Sequence, residues 1–267
     1  MTDALDTREL EVKFRLGRGG IRAFKKAVQL AAGAKKTWAR NRLVSRYFDT
    51  DDHRLAARSV SLRVRSTPGG FVQTLKAAKT TGGGLMDRSE WETPVATNEL
   101  DIDELPPEAR RALGVVVAGE LVPMIDVDFE RQTVVVERTN PLGTDLKVEI
   151  AIDTGVVKAA GRSERFAECE FELLQGDVSR FLDLAGEIIA KHPMPLSGVT
   201  KSDRGYLLLA GNGTRVHWVP KFRLTGDLTI HDALASIFST CVGNIVDNIE
   251  ACLDGRDAEA VISNRPD

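Results

Sequence analysis

At 267 residues, 42% of them hydrophobic and 28% charged, the chain can build a full-sized domain with its own core and is too apolar for a disordered tail. Its 36 lysines and arginines against 39 aspartates and glutamates give a net charge of −3, which argues against nucleic-acid binding driven by overall charge; any polyanion must be held by local charge. No apolar run approaches the roughly 18 to 20 residues that span a bilayer, and the amino terminus lacks a signal-peptide pattern. Cys169, Cys241 and Cys252 form neither a disulfide framework nor a zinc motif, so a cytoplasmic protein without nucleic-acid or membrane partners is expected.

In chain order, period-two alternation predicts strands over 8–16, 60–65, 71–76, 88–93, 126–137, 146–153 and 167–174. Turn chemistry beside them, at Pro68-Gly69-Gly70, Gly82-Gly83-Gly84, Asn140-Pro141-Leu142-Gly143 and Asp153-Thr154-Gly155, predicts antiparallel hairpins. Apolar residues three or four apart predict helices over 20–32, 107–113 and 177–191. Residues 1–211 therefore read as an antiparallel, β-rich α+β domain. Residues 212–229, with Gly211-Asn212-Gly213 at their start and Pro220, read as a linker to one amphipathic helix over 230–254, whose stripe is Ile230, Leu234, Ile237, Phe238, Cys241, Ile245, Ile249 and Leu253.

The strands carry charge on one face. Glu9, Glu11, Lys13 and Arg15 alternate with Leu10, Val12, Phe14 and Leu16; Arg63 and Arg65 with Leu62 and Val64; Arg88, Glu90 and Glu92 with Ser89 and Trp91. Lys147, Glu149 and Asp153 alternate with Val148, Ile150 and Ile152, and Glu168, Glu170 and Glu172 with Cys169, Phe171 and Leu173. An ordinary sheet with one face in water accounts for this pattern. A closed barrel with the charges inside and helices over its apolar outer wall accounts for it too. Like charges two apart, as in Glu9/Glu11, Glu168/Glu170 and Arg63/Arg65, favour the barrel, because paired carboxylates suit a divalent cation and paired arginines suit phosphate oxygens.

Glu9-Leu10-Glu11-Val12-Lys13 resembles the ExExK strand of the CYTH superfamily, the triphosphate tunnel enzymes. Similar segments follow in order: Tyr47-Phe48-Asp49-Thr50, Leu62-Arg63-Val64-Arg65, Thr74-Leu75-Lys76, Glu90-Trp91-Glu92, Phe129-Glu130-Arg131, Val148 to Asp153, Glu168 to Leu173 and Lys201-Ser202-Asp203-Arg204-Gly205-Tyr206. Thr200 stands where the family usually has serine. The chain is most similar to bacterial inorganic triphosphatases that carry a CHAD domain, and residues 230–267 look like the opening of such a domain, cut short.

The resemblance implies a closed antiparallel β-barrel with helices outside and metal-dependent hydrolysis of tripolyphosphate to pyrophosphate and phosphate. It implies substrate binding by Lys13, Arg63, Arg65, Lys76, Arg131, Lys201 and Arg204, with Mg²⁺ or Mn²⁺ held by Glu9, Glu11, Glu168 and Glu170. Glu9, Glu11, Lys13 and Asp153 are the implied catalytic group; Glu90, Glu92 and Glu149 face the interior without an assigned role. Class IV adenylyl cyclase and thiamine triphosphatase are alternatives within the family, and a non-catalytic polyphosphate-binding module is one outside enzymology. The helix over 230–254 is expected to pair with its copy in a homodimer. Gly82-Gly83-Gly84 lacks the Lys-Ser/Thr of a P-loop, and Gly17-Arg18-Gly19-Gly20 reads as a turn before a helix. The four scattered histidines offer no nucleophile pair.

Overall fold

The computed structural model describes residues 8–254 apart from 18, 34–35, 83, 141–142 and 212–227. The expected linker thus lies almost wholly outside the described residues, as do residues 255–267 of the expected CHAD-like segment. Eight strands are present: β1 (Arg8–Arg15), β2 (Ala39–Asp49), β3 (Val60–Thr67), β4 (Gly70–Gly82), β5 (Leu85–Val95), β6 (Val122–Asn140), β7 (Gly143–Ala159) and β8 (Arg162–Gln175). They close into one antiparallel barrel in the order β1-β5-β4-β3-β2-β6-β7-β8, with β8 returning to β1. The helices are α1 (Ile21–Ala32), α2 (Pro107–Leu113), α3 (Val178–Lys191), α4 (Lys201–Leu209) and α5 (Ile230–Asp254). Among the described residues no helix is long and apolar enough to cross a membrane.

Both faces of β1 are buried from Glu9 to Phe14, which a sheet with one face in water does not allow. Outside, Val12, Phe14, Val148, Ile150, Ile152, Cys169 and Phe171 form a core with Phe24 and Val28 of α1 and Phe181, Leu184 and Ile188 of α3. The outer wall at Leu62 and Leu75 packs on Ala109 and Leu113 of α2. Inside lie the charged side chains.

The apolar side changes along the long strands. On β6, Ile125, Val127 and Phe129 cluster with Leu43, Val157, Ala159 and Phe166, whereas Val134 and Val136, of the opposite parity, join the outer core under α1 and α3. The reason is what covers each end. Around Ile125 to Phe129 the outer face is wet and carries the ion pairs Arg42–Asp128 at 2.7 Å and Arg46–Asp126 at 3.0 Å, so the apolar residues turn inward, beneath Tyr206, Leu208 and Leu209 at α4. The interior is therefore apolar at this end and charged further along, a modification of the uniformly charged lining expected from the alternation.

One expectation is corrected, and two elements join the predicted set. Asp153-Thr154-Gly155 is not a turn: β7 runs straight through it, and Gly155 is required because a Cβ there would lie 2.3 Å from Phe129 Cβ and 2.3 Å from the Asp128 carbonyl oxygen. The strand β2 is absent from the predicted set because its solvent face, Arg40, Arg42 and Arg46, is charged while its inner face mixes Leu43, Ser45 and Tyr47, leaving no apolar–polar alternation to read. The helix α4 is too short and too charged for a helical stripe.

Candidate active site

Helix α4 carries two cations into the barrel. Thr200 caps it: its Oγ1 accepts from the Asp203 amide at 3.1 Å while Asp203 Oδ2 accepts from the Thr200 amide at 2.8 Å, so threonine performs the capping that serine would. Gly205 lets the helix lie directly on β6, since a Cβ there would come within 2.4 Å of Ile125. Asp49, fully buried, ties the same helix to the β2–β3 connection by accepting from Tyr206 Oη at 2.7 Å and from the amides of Leu55 and Ala56.

The result is a dense ionic centre. Lys201 Nζ lies 2.6 Å from Glu168, 2.7 Å from Asp153 and 2.9 Å from Glu170. Arg131 makes a two-pronged contact with Asp153 at 2.8 and 2.7 Å and also reaches Glu170. Lys13 Nζ sits 3.1 Å from Glu170 and 3.8 Å from both Glu168 and Glu11. Arg204 bonds Glu164 at 2.9 Å and stands 3.8 Å from Glu168. Burial on its own would neutralise these groups, but the pairing wins: Lys201 is held above its ordinary range by Asp153, Glu168 and Glu170, and Glu170 well below its own by Lys201, Lys13 and Arg131.

Glu9 and Glu11 belong to a second group. Lys76 bonds Glu9 at 2.6 Å and lies 3.2 Å from Glu90, and Arg88 contacts both Glu9, at 3.2 Å, and Glu11. Farther along β5, Glu92 accepts from Thr74 Oγ1 at 3.1 Å. Side-chain exposure rises from 0% at Asp153 and Glu168 to 20% at Glu90 and 54% at Glu92, so water reaches the interior from the Glu92 side.

The β2–β3 wall differs in charge. Arg63 donates to Tyr47 Oη at 3.4 Å and has carboxylates only at 3.7 and 3.9 Å, with its buried Nε unpartnered. Arg65 donates to Ser45 Oγ at 3.1 Å. Burial, Arg63 and Arg131 push Arg65 down to about 9. Phe129 floors this region, its ring centre 5.6 Å from Arg65, 5.8 Å from Arg131 and 5.1 Å from Lys201.

Three buried carboxylates, Asp153, Glu168 and Glu170, offer oxygens within 4.8 Å of one another. Glu168 Oε2 is buried without a hydrogen-bond partner. An all-oxygen donor set of this kind fits a hard divalent cation in the position that Lys201 Nζ holds among the three carboxylates here. Of the four glutamates implied as metal ligands, the fold thus brings Glu168 and Glu170 together with Asp153, and sets Glu9 and Glu11 against Lys76 and Arg88. The seven implied substrate cations all reach the interior. Sequence reading gave no role to Arg88, although it shares the face of Glu90 and Glu92, nor to Phe129, Tyr47 and Ser45, whose inward direction no alternation marks.

The curated inorganic triphosphatase of Haemophilus influenzae is 28% identical over 182 residues, which cover 66% of this chain and 48% of that protein, so the chain spans about half the length of the relative it matches. Among solved structures, a proposed adenylyl cyclase from Hippeastrum that shows a dominant triphosphatase activity superposes with a TM-score of 0.51 at 20% identity, covering 76% of this chain and 96% of that one. The PH1819 protein of Pyrococcus horikoshii gives a TM-score of 0.48 at 16% identity, covering 76% and 99%. The CYTH domain model matches residues 7–206, the whole barrel and most of α4, and the chain belongs to the CYTH family.

Proposed function

We propose that the chain is a metal-dependent inorganic triphosphatase, cleaving tripolyphosphate to pyrophosphate and phosphate inside the barrel. The observation that carries this reading is the division of the interior: Arg63 and Arg65, short of carboxylate partners, on the β3 wall, and the buried trio Asp153, Glu168 and Glu170 on β7 and β8. A substrate with four to five negative charges needs the first, and the cation that partly neutralises it needs the second.

The substrate enters from the wet Glu92 side and lays its phosphates against Arg63, Arg65 and Lys76. Guanidinium forks fix phosphate oxygens in orientation, while Lys13, Lys201 and Arg204 act as charges at the dry end. Asp153 and Glu170 hold Arg131 rigid, and Phe129 keeps water from beneath the cations. Mg²⁺ or Mn²⁺ on Asp153, Glu168 and Glu170 would supply neutralisation of phosphate oxygens and polarisation of the bond to be broken. Glu9 and Glu11 serve the same centre by positioning Lys13, Lys76 and Arg88. The full chain acts as a homodimer through α5 in this reading.

A substrate panel of tripolyphosphate, ATP and thiamine triphosphate, run with Mg²⁺, with Mn²⁺ and in excess chelator, tests the proposal. Phosphate release is expected fastest from tripolyphosphate and abolished by chelator. Cyclic AMP formation from ATP would move the assignment to a cyclase, preference for thiamine triphosphate to the thiamine enzyme, and tight binding without release to a non-catalytic polyphosphate module.

A further inference from the structure

On the outer wall, away from the ionic centre, a cleft of about 670 Å³ runs along α1 and is lined by Arg22, Lys25, Lys26, Gln29, Lys36 and Trp38, with no carboxylate among its described lining residues. Four cations gathered at one cleft are not a sample of the general surface of a chain whose net charge is −3. Helix α1 bears three of them at an electrostatic cost. Arg22 occupies its first turn, where the peptide dipoles are positive and there is neither an acidic residue nor a side-chain cap, and Lys25 and Lys26 follow in the second. They stand three and four residues apart, the spacing at which like charges repel across a helix face. The opposite face, Phe24, Ala27, Val28 and Ala31, is buried, so packing fixes the cations' direction but does not require their charge.

Among the described residues, neighbouring groups relieve little of the crowding. Lys25 bonds the neutral Gln132 side chain and lies 4.7 Å over the Trp38 ring. The nearby Glu130 is already shared between Arg40, at 3.4 Å, and Gln132, at 2.8 Å. Desolvation and Arg40 weigh against the Lys25 charge more than Glu130 supports it.

We propose that this cleft is a second anion site, separate from the barrel interior, that binds a short inorganic phosphate chain. Its dimensions select that class. From Arg22 to Gln29 the helix advances about 10 Å, the reach of a few linked phosphates. An extended nucleic acid or a lipid surface would have to lie over the adjoining β2–β6 face, where Asp126, Asp128 and Glu130 alternate with arginines and offer no net positive charge. Three of the four cations are lysines, point charges suited to a chain of changing geometry. Lys25 already covers a Trp38 face, leaving less reason to expect a stacked base.

Calorimetric titration of the full chain with tripolyphosphate in excess chelator, where turnover is suppressed, tests the site. Wild type is expected to bind about two per chain, and the triple variant Arg22→Ala, Lys26→Ala, Lys36→Ala about one, with affinity at the lost site down roughly tenfold or more. If the barrel interior does not bind without metal, the counts become about one and none, which supports the outer site equally. Identical isotherms for the two proteins would overturn the proposal. So would a parallel fall in tripolyphosphate turnover, which would assign these cations to the catalytic centre. A single-stranded oligonucleotide that binds wild type more tightly than tripolyphosphate, and loses binding in the variant, would replace the phosphate chain with nucleic acid.

Discussion

Arg65 is held in the barrel at a disadvantage that substrate would remove. Buried beside Arg63 and Arg131, with Ser45 Oγ as its hydrogen-bond partner, it keeps its proton at neutral pH against the field of its neighbours. Arg65→Ala is therefore expected to lower kcat/KM by roughly 10- to 100-fold, the ~1.5 to 3 kcal/mol of a charge-assisted hydrogen bond, while raising the melting temperature of the free protein. Arg65→Lys should fall between, keeping charge without the fork. A variant less stable than wild type and fully active would mean that Arg65 braces the barrel. Glu172 makes the complementary case: burial and the charge of Glu9 push its carboxyl from about 4.5 up to about 8. Between those values the folded protein keeps a proton that the unfolded chain has lost, so stability falls as pH rises through the window and levels off above about 8. Denaturant melts of metal-free protein from pH 5 to 9 should show this loss, and Glu172→Gln should flatten it; parallel curves for the two proteins would count against a protonated Glu172.

The long strands explain both what could be read from the chain and what could not. Strand β1 and the segments around Arg63 and Glu168 were legible because an apolar outer face under helices alternates with a charged inner one. On β6 the apolar parity moves from Phe129, inside, to Val134, outside, with no bulge between them, because helix cover stops at one end and α4 begins at the other. A pattern that depends on remote cover cannot be recovered from spacing, and the same fact hid β2 and the inward course of Phe129. The candidate site was legible as a set of charges but not as pairs, since which carboxylate faces Lys201 and which faces Lys76 is decided by register and by the docking of α4. That docking rests on small contacts. Gly205→Ala should lift α4 from Ile125 and cost roughly 1 to 3 kcal/mol, with kcat falling more than KM rises, because Lys201 and Arg204 move while Arg63 and Arg65 stay. Tyr206→Phe should cost about 1 kcal/mol through Asp49 and leave the strands in place. Wild-type kcat and wild-type melting in Gly205→Ala would show that the close approach is unimportant.

At the scale of the molecule, α5 buries an unexpected set of residues. Asn244, Val246, Asn248 and Ala251 are its buried residues, while Ile230 is 82% exposed, Phe238 64%, Ile245 50% and Leu253 54%. The stripe read from sequence is real in its spacing, yet the buried residues are mostly polar or small and much of the apolar side is left in water. Contiguous apolar exposure over this length marks an interaction surface. Pairing two such helices about a twofold axis would bury the stripe of each against its copy, worth roughly 1.5 to 3 kcal/mol for each fully buried large side chain before the cost of association. The full chain is accordingly expected to dimerise at micromolar concentrations in sedimentation equilibrium, and Phe238→Ser with Ile245→Ser to return it to a monomer with unchanged tripolyphosphate turnover, because both residues are exposed. A wild-type monomer at every concentration would remove the homodimer from the reading, and loss of turnover in the double variant would place the outer face of α5 within the catalytic unit.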